Sequence, residues 1–249
     1  MTWDVEAAEK GGYQHFMLKE IHEEPKALRD TLTSRIIDGR IDLGDINITR
    51  EQLEEAGKIV IVACGTAYHA GIVGKYVIEK LVRMPVEVEI ASEFRYKDPL
   101  ISRDNIIIII SQSGETADTL AAMRMCKKIG AKIVAITNVV GSTLSREADH
   151  VLYTWAGPEI AVASTKAYIT QLLCLYMMAL DFADKMGRIS KEEYRQMIEE
   201  MQNLPELAQK VLDDKQVIQR CADETFNSSS IFYIGRGLDY AVAVEGSLK

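Results

Sequence analysis

Five consecutive isoleucines, Ile106–Ile110, run straight into Ser111-Gln112-Ser113-Gly114-Glu115-Thr116. A stretch that is apolar at every position leaves no residue for water. It fits a strand covered on both faces, as in a parallel sheet between two helical layers. Ile59-Val60-Ile61-Val62-Ala63 has the same texture and runs into Cys64-Gly65-Thr66-Ala67. Val86–Ile90, Ala131–Thr137 and Val151–Thr154 read as further strands, with helical stretches to about Leu81 and from Glu115 to Ile129 between them. The alternation predicts an α/β fold: a doubly wound parallel sheet of five strands flanked by helices.

The flanks read differently. In the first fifty residues Phe16, Leu18, Ile21 and Leu28 recur at near-helical spacing, Pro25 interrupts the run, and Gly39 and Gly44 mark turns. From Thr165 to Met186 the chain is apolar around most of a helix circumference, which predicts burial in the core or against another subunit. Ser190-Lys191-Glu192-Glu193 has capping-box form and opens a polar helix towards Pro205, with more helix to about Thr225. Ile231–Ile234 then predicts a new strand, and Gly235-Arg236-Gly237 after it echoes the turn at Cys64-Gly65-Thr66. The organisation expected is a helical lead-in (1–50), a first α/β domain (51–187), a helical connector (188–228) and the start of a truncated second domain (229–249).

Composition removes several function classes. Lys and Arg number 29 against 37 Asp and Glu, a net charge of -8, which argues against a nucleic-acid partner. The longest apolar run is far too short to span a bilayer, and the acidic, polar opening Met1-Thr2-Trp3-Asp4 does not read as a signal peptide. Cys64, Cys126, Cys174 and Cys221 are widely spaced, as for reduced thiols in a cytosolic protein. No His, Asp or Glu cluster has metal-ligand spacing, and no cofactor is expected. The glycine fingerprints of nucleotide-binding proteins are absent.

Chemistry is expected where strands end and helices begin. Ser111, Ser113 and Thr116 offer three hydroxyls beside a helix start whose free N–H groups attract an anion, a combination that suits a phosphate monoester. A plain helix cap at Ser113 is the competing reading. Val162-Ala163-Ser164-Thr165-Lys166 reads by itself as a loop and N-cap, and the four histidines, His69 among them, stand isolated in the sequence.

Three blocks, Cys64-Gly65-Thr66-Ala67-Tyr68, Ser111–Thr119 and Val162–Ala167, together resemble the sugar isomerase (SIS) family of phosphosugar-binding domains. The resemblance implies an SIS-type sheet of the kind above and hexose 6-phosphates as ligands: fructose 6-phosphate, glucose 6-phosphate or glucosamine 6-phosphate. It implies that Ser111, Gln112, Ser113 and Thr116 hold the phosphate, that Cys64, Gly65 and Thr66 line the same pocket, and that Val162 and Ser164 meet the open-chain sugar. Glu245 and Lys249, i and i+4 on one helix, are the implied catalytic groups; a solvated ion pair is the alternative. Family members commonly carry serine where this chain has Ala67. The branch resembled most makes glucosamine 6-phosphate from fructose 6-phosphate and glutamine in the cytoplasm, as a homodimer. Further groups it uses fall beyond Lys249, so binding without turnover is the expectation. A sugar-phosphate deglycase or deaminase, or the effector-binding module of a regulator, are the alternatives within the family.

Overall fold

A computed structural model of the chain describes residues 9–249. The first eight residues of the expected lead-in, including the acidic opening, lie outside the described residues. Two helices come first, α1 (Phe16–His22) and α2 (Glu24–Thr33), followed by a minimal hairpin of β1 (Ile36–Ile37) and β2 (Arg40–Ile41). The expected interruption at Pro25 appears as the break at Glu23 between α1 and α2. Pro25 sits in the first turn of α2, where a missing N–H costs no hydrogen bond. A capping box, Thr49 with Gln52, starts α3 (Arg50–Glu55).

The α/β unit then runs β3 (Ile59–Ala63), α4 (Gly65–Leu81), β4 (Val86–Ile90), α5 (Ala91–Phe94), β5 (Ile106–Ser111), α6 (Ala117–Ile129), β6 (Lys132–Thr137), α7 (Thr143–Glu147) and β7 (His150–Tyr153). The strands are parallel, in the order β4-β3-β5-β6-β7. Alternation of side chains sorts the isoleucine run onto two cores. Ile106, Ile108 and Ile110 pack with Ile59, Ile61 and α4 on one face, while Ile107 and Ile109 pack with Val60, Val62 and α6 on the other. Every residue of β3 and β5 is therefore buried, whereas the edge strand β4, Val-Glu-Val-Glu-Ile, keeps partly exposed positions.

The apolar helix is α8 (Lys166–Lys185). It packs on α2, α4 and α9 (Lys191–Asp213), and its apolar circumference is covered within the chain. The apolar surface of α8 thus calls for no second subunit. Contact with α4 is close at Gly74, where a Cβ would lie 2.9 Å from Leu175 Cδ1. The stretch expected as a connector divides in two. The first half of α9 buries Tyr194, Ile198 and Met201 in the main core, and the Tyr194 hydroxyl accepts from the Ile41 N–H at 2.9 Å. The helix does not stop at Pro205 but continues through it to Asp213, giving up one backbone hydrogen bond while Pro205 is buried. Beyond it, α10 (Gln216–Thr225) buries no residue.

The expected strand Ile231–Ile234 is not one. The segment is irregular, its four apolar side chains are exposed, and α11 (Leu238–Leu248) follows. A strand needs a neighbour to bond to, and the five-stranded sheet offers none there. Among the described residues no helix is long and apolar enough to cross a membrane.

Candidate functional site

In this strand order the chain leaves β3 for one side of the sheet and later returns to β5 on the other. The connections after β3 and β5 therefore diverge at the carboxyl ends of two adjacent strands, where open α/β sheets form their ligand crevice. A cleft of about 290 Å³ opens there. Eight of the sequence-selected residues line it: Cys64 and Thr66 after β3; Ser111 at the end of β5, with Gln112, Ser113 and Thr116 after it; and Val162 and Ser164. Gly65 does not line it; it begins α4 with φ of 56°.

The turn after β5 is organised by its own hydroxyls. Ser111 Oγ accepts from the Gly114 N–H at 3.1 Å and shares a 3.2 Å hydrogen bond with Thr116 Oγ1, while Ser113 Oγ accepts from the Glu115 N–H at 3.2 Å. Three hydroxyls thus use one proton among themselves, and two protons stay free to donate. Ser113 is not the helix cap: Thr116 holds that place and makes no side-chain cap bond. The amides of Ala117, Asp118 and Thr119 precede the first hydrogen bond of α6, from Leu120 N–H to Thr116 O. Glycine is required at 114, with φ of 68° and a notional Cβ 2.6 Å from Ser142 Cβ. The arrangement is a set of donors suited to an anion.

The opposite wall, residues 157–164, is held from a distance. Asn138, just after β6, donates through Nδ2 to Gly157 O and accepts from the Thr154 hydroxyl and the Ala156 N–H. Glu20 on α1, 2% exposed, accepts from the Ile160 and Ala161 N–H groups at 2.6 and 3.1 Å. The buried Lys166 pairs with Glu23 at 2.6 Å. Glu159, which sequence reasoning missed, caps α8: its Oε1 accepts from the Thr165 and Ala167 N–H groups, and its Oε2 from the Ser164 hydroxyl at 2.8 Å. Ser164 therefore faces the cleft with its proton already committed. No local motif announces a cap delivered from six residues before its helix. Burial, with Glu159 nearby, pushes the carboxyl of Glu24 up to about 7.

Glu245 and Lys249 do not line the cleft; α11 places them behind Thr66. Glu245 is 4% exposed. Its carboxylate accepts from Thr66 Oγ1 at 3.0 Å, meets His69 Nδ1 at 2.6 Å and pairs with Lys249 Nζ at 2.7 Å. Lys249 also donates to Thr66 Oγ1 at 2.9 Å. Glu245 is thus buried in a network that includes His69, isolated in sequence, while the Lys249 side chain stays partly exposed. The Thr66 hydroxyl proton goes to Glu245, so towards the cleft its oxygen can accept but not donate.

The SIS domain family matches residues 52–181. The glutamine–fructose-6-phosphate aminotransferase [isomerizing] of Caldanaerobacter subterraneus subsp. tengcongensis is 64% identical over all of this chain, and that of Clostridium tetani 62%. In both cases the chain spans 41% of the relative's length. Among solved structures, the C-terminal domain of glucosamine-fructose-6-phosphate aminotransferase from Francisella tularensis superposes with a TM-score of 0.91 at 41% identity, over 96% of this chain and 67% of that one. A five-stranded parallel sheet, a cleft at its switch point and a family match across more than half of the sequence lead to one conclusion: the chain belongs to the SIS domain family.

Proposed function

We propose that this chain binds hexose 6-phosphates as the isomerase part of a glutamine–fructose-6-phosphate aminotransferase, the activity for which its relatives are named. The observation that carries the reading is the turn after β5, with two uncommitted hydroxyl protons beside the open amino end of α6. A phosphate dianion fits that chemistry, and Gln112 stands next to it. The sugar then extends towards Val162 and Ser164, past Cys64 and Thr66.

Conversion of fructose 6-phosphate to glucosamine 6-phosphate requires ring opening, an imine at C2 and proton transfer between C2 and C1. Holding the phosphate fixes those carbons against a base. Glu245 and Lys249 are the proposed proton-handling groups, joined to the sugar site through Thr66. The same reading places the protein in the cytoplasm as a homodimer, on the family resemblance.

Calorimetric titration with glucose 6-phosphate tests the binding step. Ser113→Ala removes a free donor from the turn, and affinity is expected to fall about ten- to a hundredfold with the fold intact. Unchanged affinity in a folded variant would remove this turn from the site.

A further inference from the structure

Two side chains in the cleft each carry a buried oxygen with nothing to bond to. Thr119 on α6 and Gln171 on α8 both line it, and each is 1% exposed. Neither Thr119 Oγ1 nor Gln171 Oε1 has a hydrogen-bond partner among the described residues. Buried polar atoms without partners are uncommon in folded proteins, because each forfeits its hydration for nothing.

Four threonines farther inside their helices show what Thr119 forgoes. Thr31, Thr33, Thr170 and Thr225 each donate to the carbonyl four residues back. For Thr119 the residue four back is Glu115, in the turn before α6. Its hydroxyl is therefore left without the local acceptor that the others use. A valine at 119 or a methionine at 171 would fill nearly the same volume without an orphaned polar atom.

We infer that Thr119 and Gln171 are ligand contacts whose partners arrive with the substrate: a phosphate oxygen at Thr119 and a sugar hydroxyl at Gln171. Thr119 lies three residues beyond Thr116, on the same side of the helix that opens the phosphate turn. Gln171 lines the cleft from α8, the helix into which residues 157–164 lead, and its amide both donates and accepts, as a sugar hydroxyl does. The inference rests on the phosphosugar reading and adds two contacts at opposite ends of the ligand.

Stability and affinity are expected to move in opposite directions. In the ligand-free chain Thr119→Val and Gln171→Met each remove an unpaired buried polar atom, and each should raise the melting temperature by about 2–4 °C. Thr119→Val should weaken both glucose 6-phosphate and inorganic phosphate about tenfold. Gln171→Met should weaken glucose 6-phosphate about tenfold and leave inorganic phosphate unchanged. Thr119→Ser, which keeps the hydroxyl, should bind like the parent. Parent-like affinity in both Thr119→Val and Gln171→Met overturns the inference, and so does a loss of affinity accompanied by a lower melting temperature, which marks a structural role. If the parent chain binds glucose 6-phosphate and Ser113→Ala weakens it while these variants do not, this inference falls and the phosphosugar reading stands. A parent chain that binds neither ligand overturns both.

Discussion

On one side of the cleft, the hydroxyls of Ser111, Ser113 and Thr116 are fixed by partners no more than five residues away. On the other side, residues 157–164 hang from Glu20, 140 residues upstream, from Asn138 at the end of β6, and from the Glu159 cap on α8. The hydroxyl pattern of the first wall is set within one strand–turn–helix unit, while its backbone is steadied from next door: the Asn138 N–H donates to Gln112 O and the Leu144 N–H to Gly114 O. The second exists only when α1, the sheet and α8 are already assembled, so its order reports the state of the whole fold. The lead-in helices, remote in sequence, act as part of the site because α1 supplies the carboxylate that two loop amides need.

The harshest way to break the local wall is Gly114→Ala. The substitution forces a Cβ onto a backbone with φ of 68° and drives it against Ser142. Strain and overpacking together should cost about 2–4 kcal/mol. Urea unfolding should show that loss, with binding of inorganic phosphate and of glucose 6-phosphate falling together. Retained phosphate binding in Gly114→Ala would mean that the turn's geometry does not set the phosphate end.

Glu20→Ala attacks the distant wall and should separate the two ligands. Two part-buried amides lose a charged acceptor, a destabilisation of about 1–3 kcal/mol. Amide hydrogen exchange should accelerate in 157–164, and glucose 6-phosphate should weaken while inorganic phosphate binding stays. Equal loss of both ligands would show that the walls are not independent.

The same division decides what could be read from the sequence. The five strands, their order of appearance and the turn after β5 were legible because apolar patterns, unbroken in β3 and alternating in β4, and the Ser111–Thr116 hydroxyls carry their meaning locally. Glu159, Glu20 and the His69–Glu245 contact were not, since each joins groups whose proximity is made by tertiary packing. Ser113 could be read as a cap because a serine beside a glycine before a helix has that form; the structure gives the cap position to Thr116 instead. Ile231–Ile234 failed for the complementary reason. Its apolar pattern is strand-like, but a strand is defined by its neighbour, and the pattern does not contain one.

Proton uptake offers a gentler probe of the distant wall. Glu24 starts α2, and burial, with Glu159 close by, raises its carboxyl from 4.5 to about 7. The folded chain therefore binds a proton between those values that the unfolded chain has already released. Its contribution is present in full below about pH 4.5 and is lost as pH rises through 7. Partial burial discounts the full shift, leaving a decline on the order of 1–2 kcal/mol between pH 5 and 8. Melts across that range should show the decline, and Glu24→Gln should flatten it and stabilise the chain at pH 8. An unchanged slope in Glu24→Gln would locate the titrating group elsewhere.

The smallest expected effect is a gain. Ala67 lines the cleft three residues into α4, at the position where the family resemblance expects a serine hydroxyl. Thr66 beside it cannot supply the missing donor, because its proton is held by Glu245. Ala67→Ser should therefore add a donor from the β3 side to a ligand held mainly from the β5 side. The gain should be about 1 kcal/mol, or roughly fivefold tighter binding of glucose 6-phosphate by calorimetry. Inorganic phosphate should tighten by the same factor if the new hydroxyl reaches the phosphate, and not at all if it reaches the sugar. A weaker complex would show the added hydroxyl turned away from the ligand, leaving the phosphate end to the turn after β5.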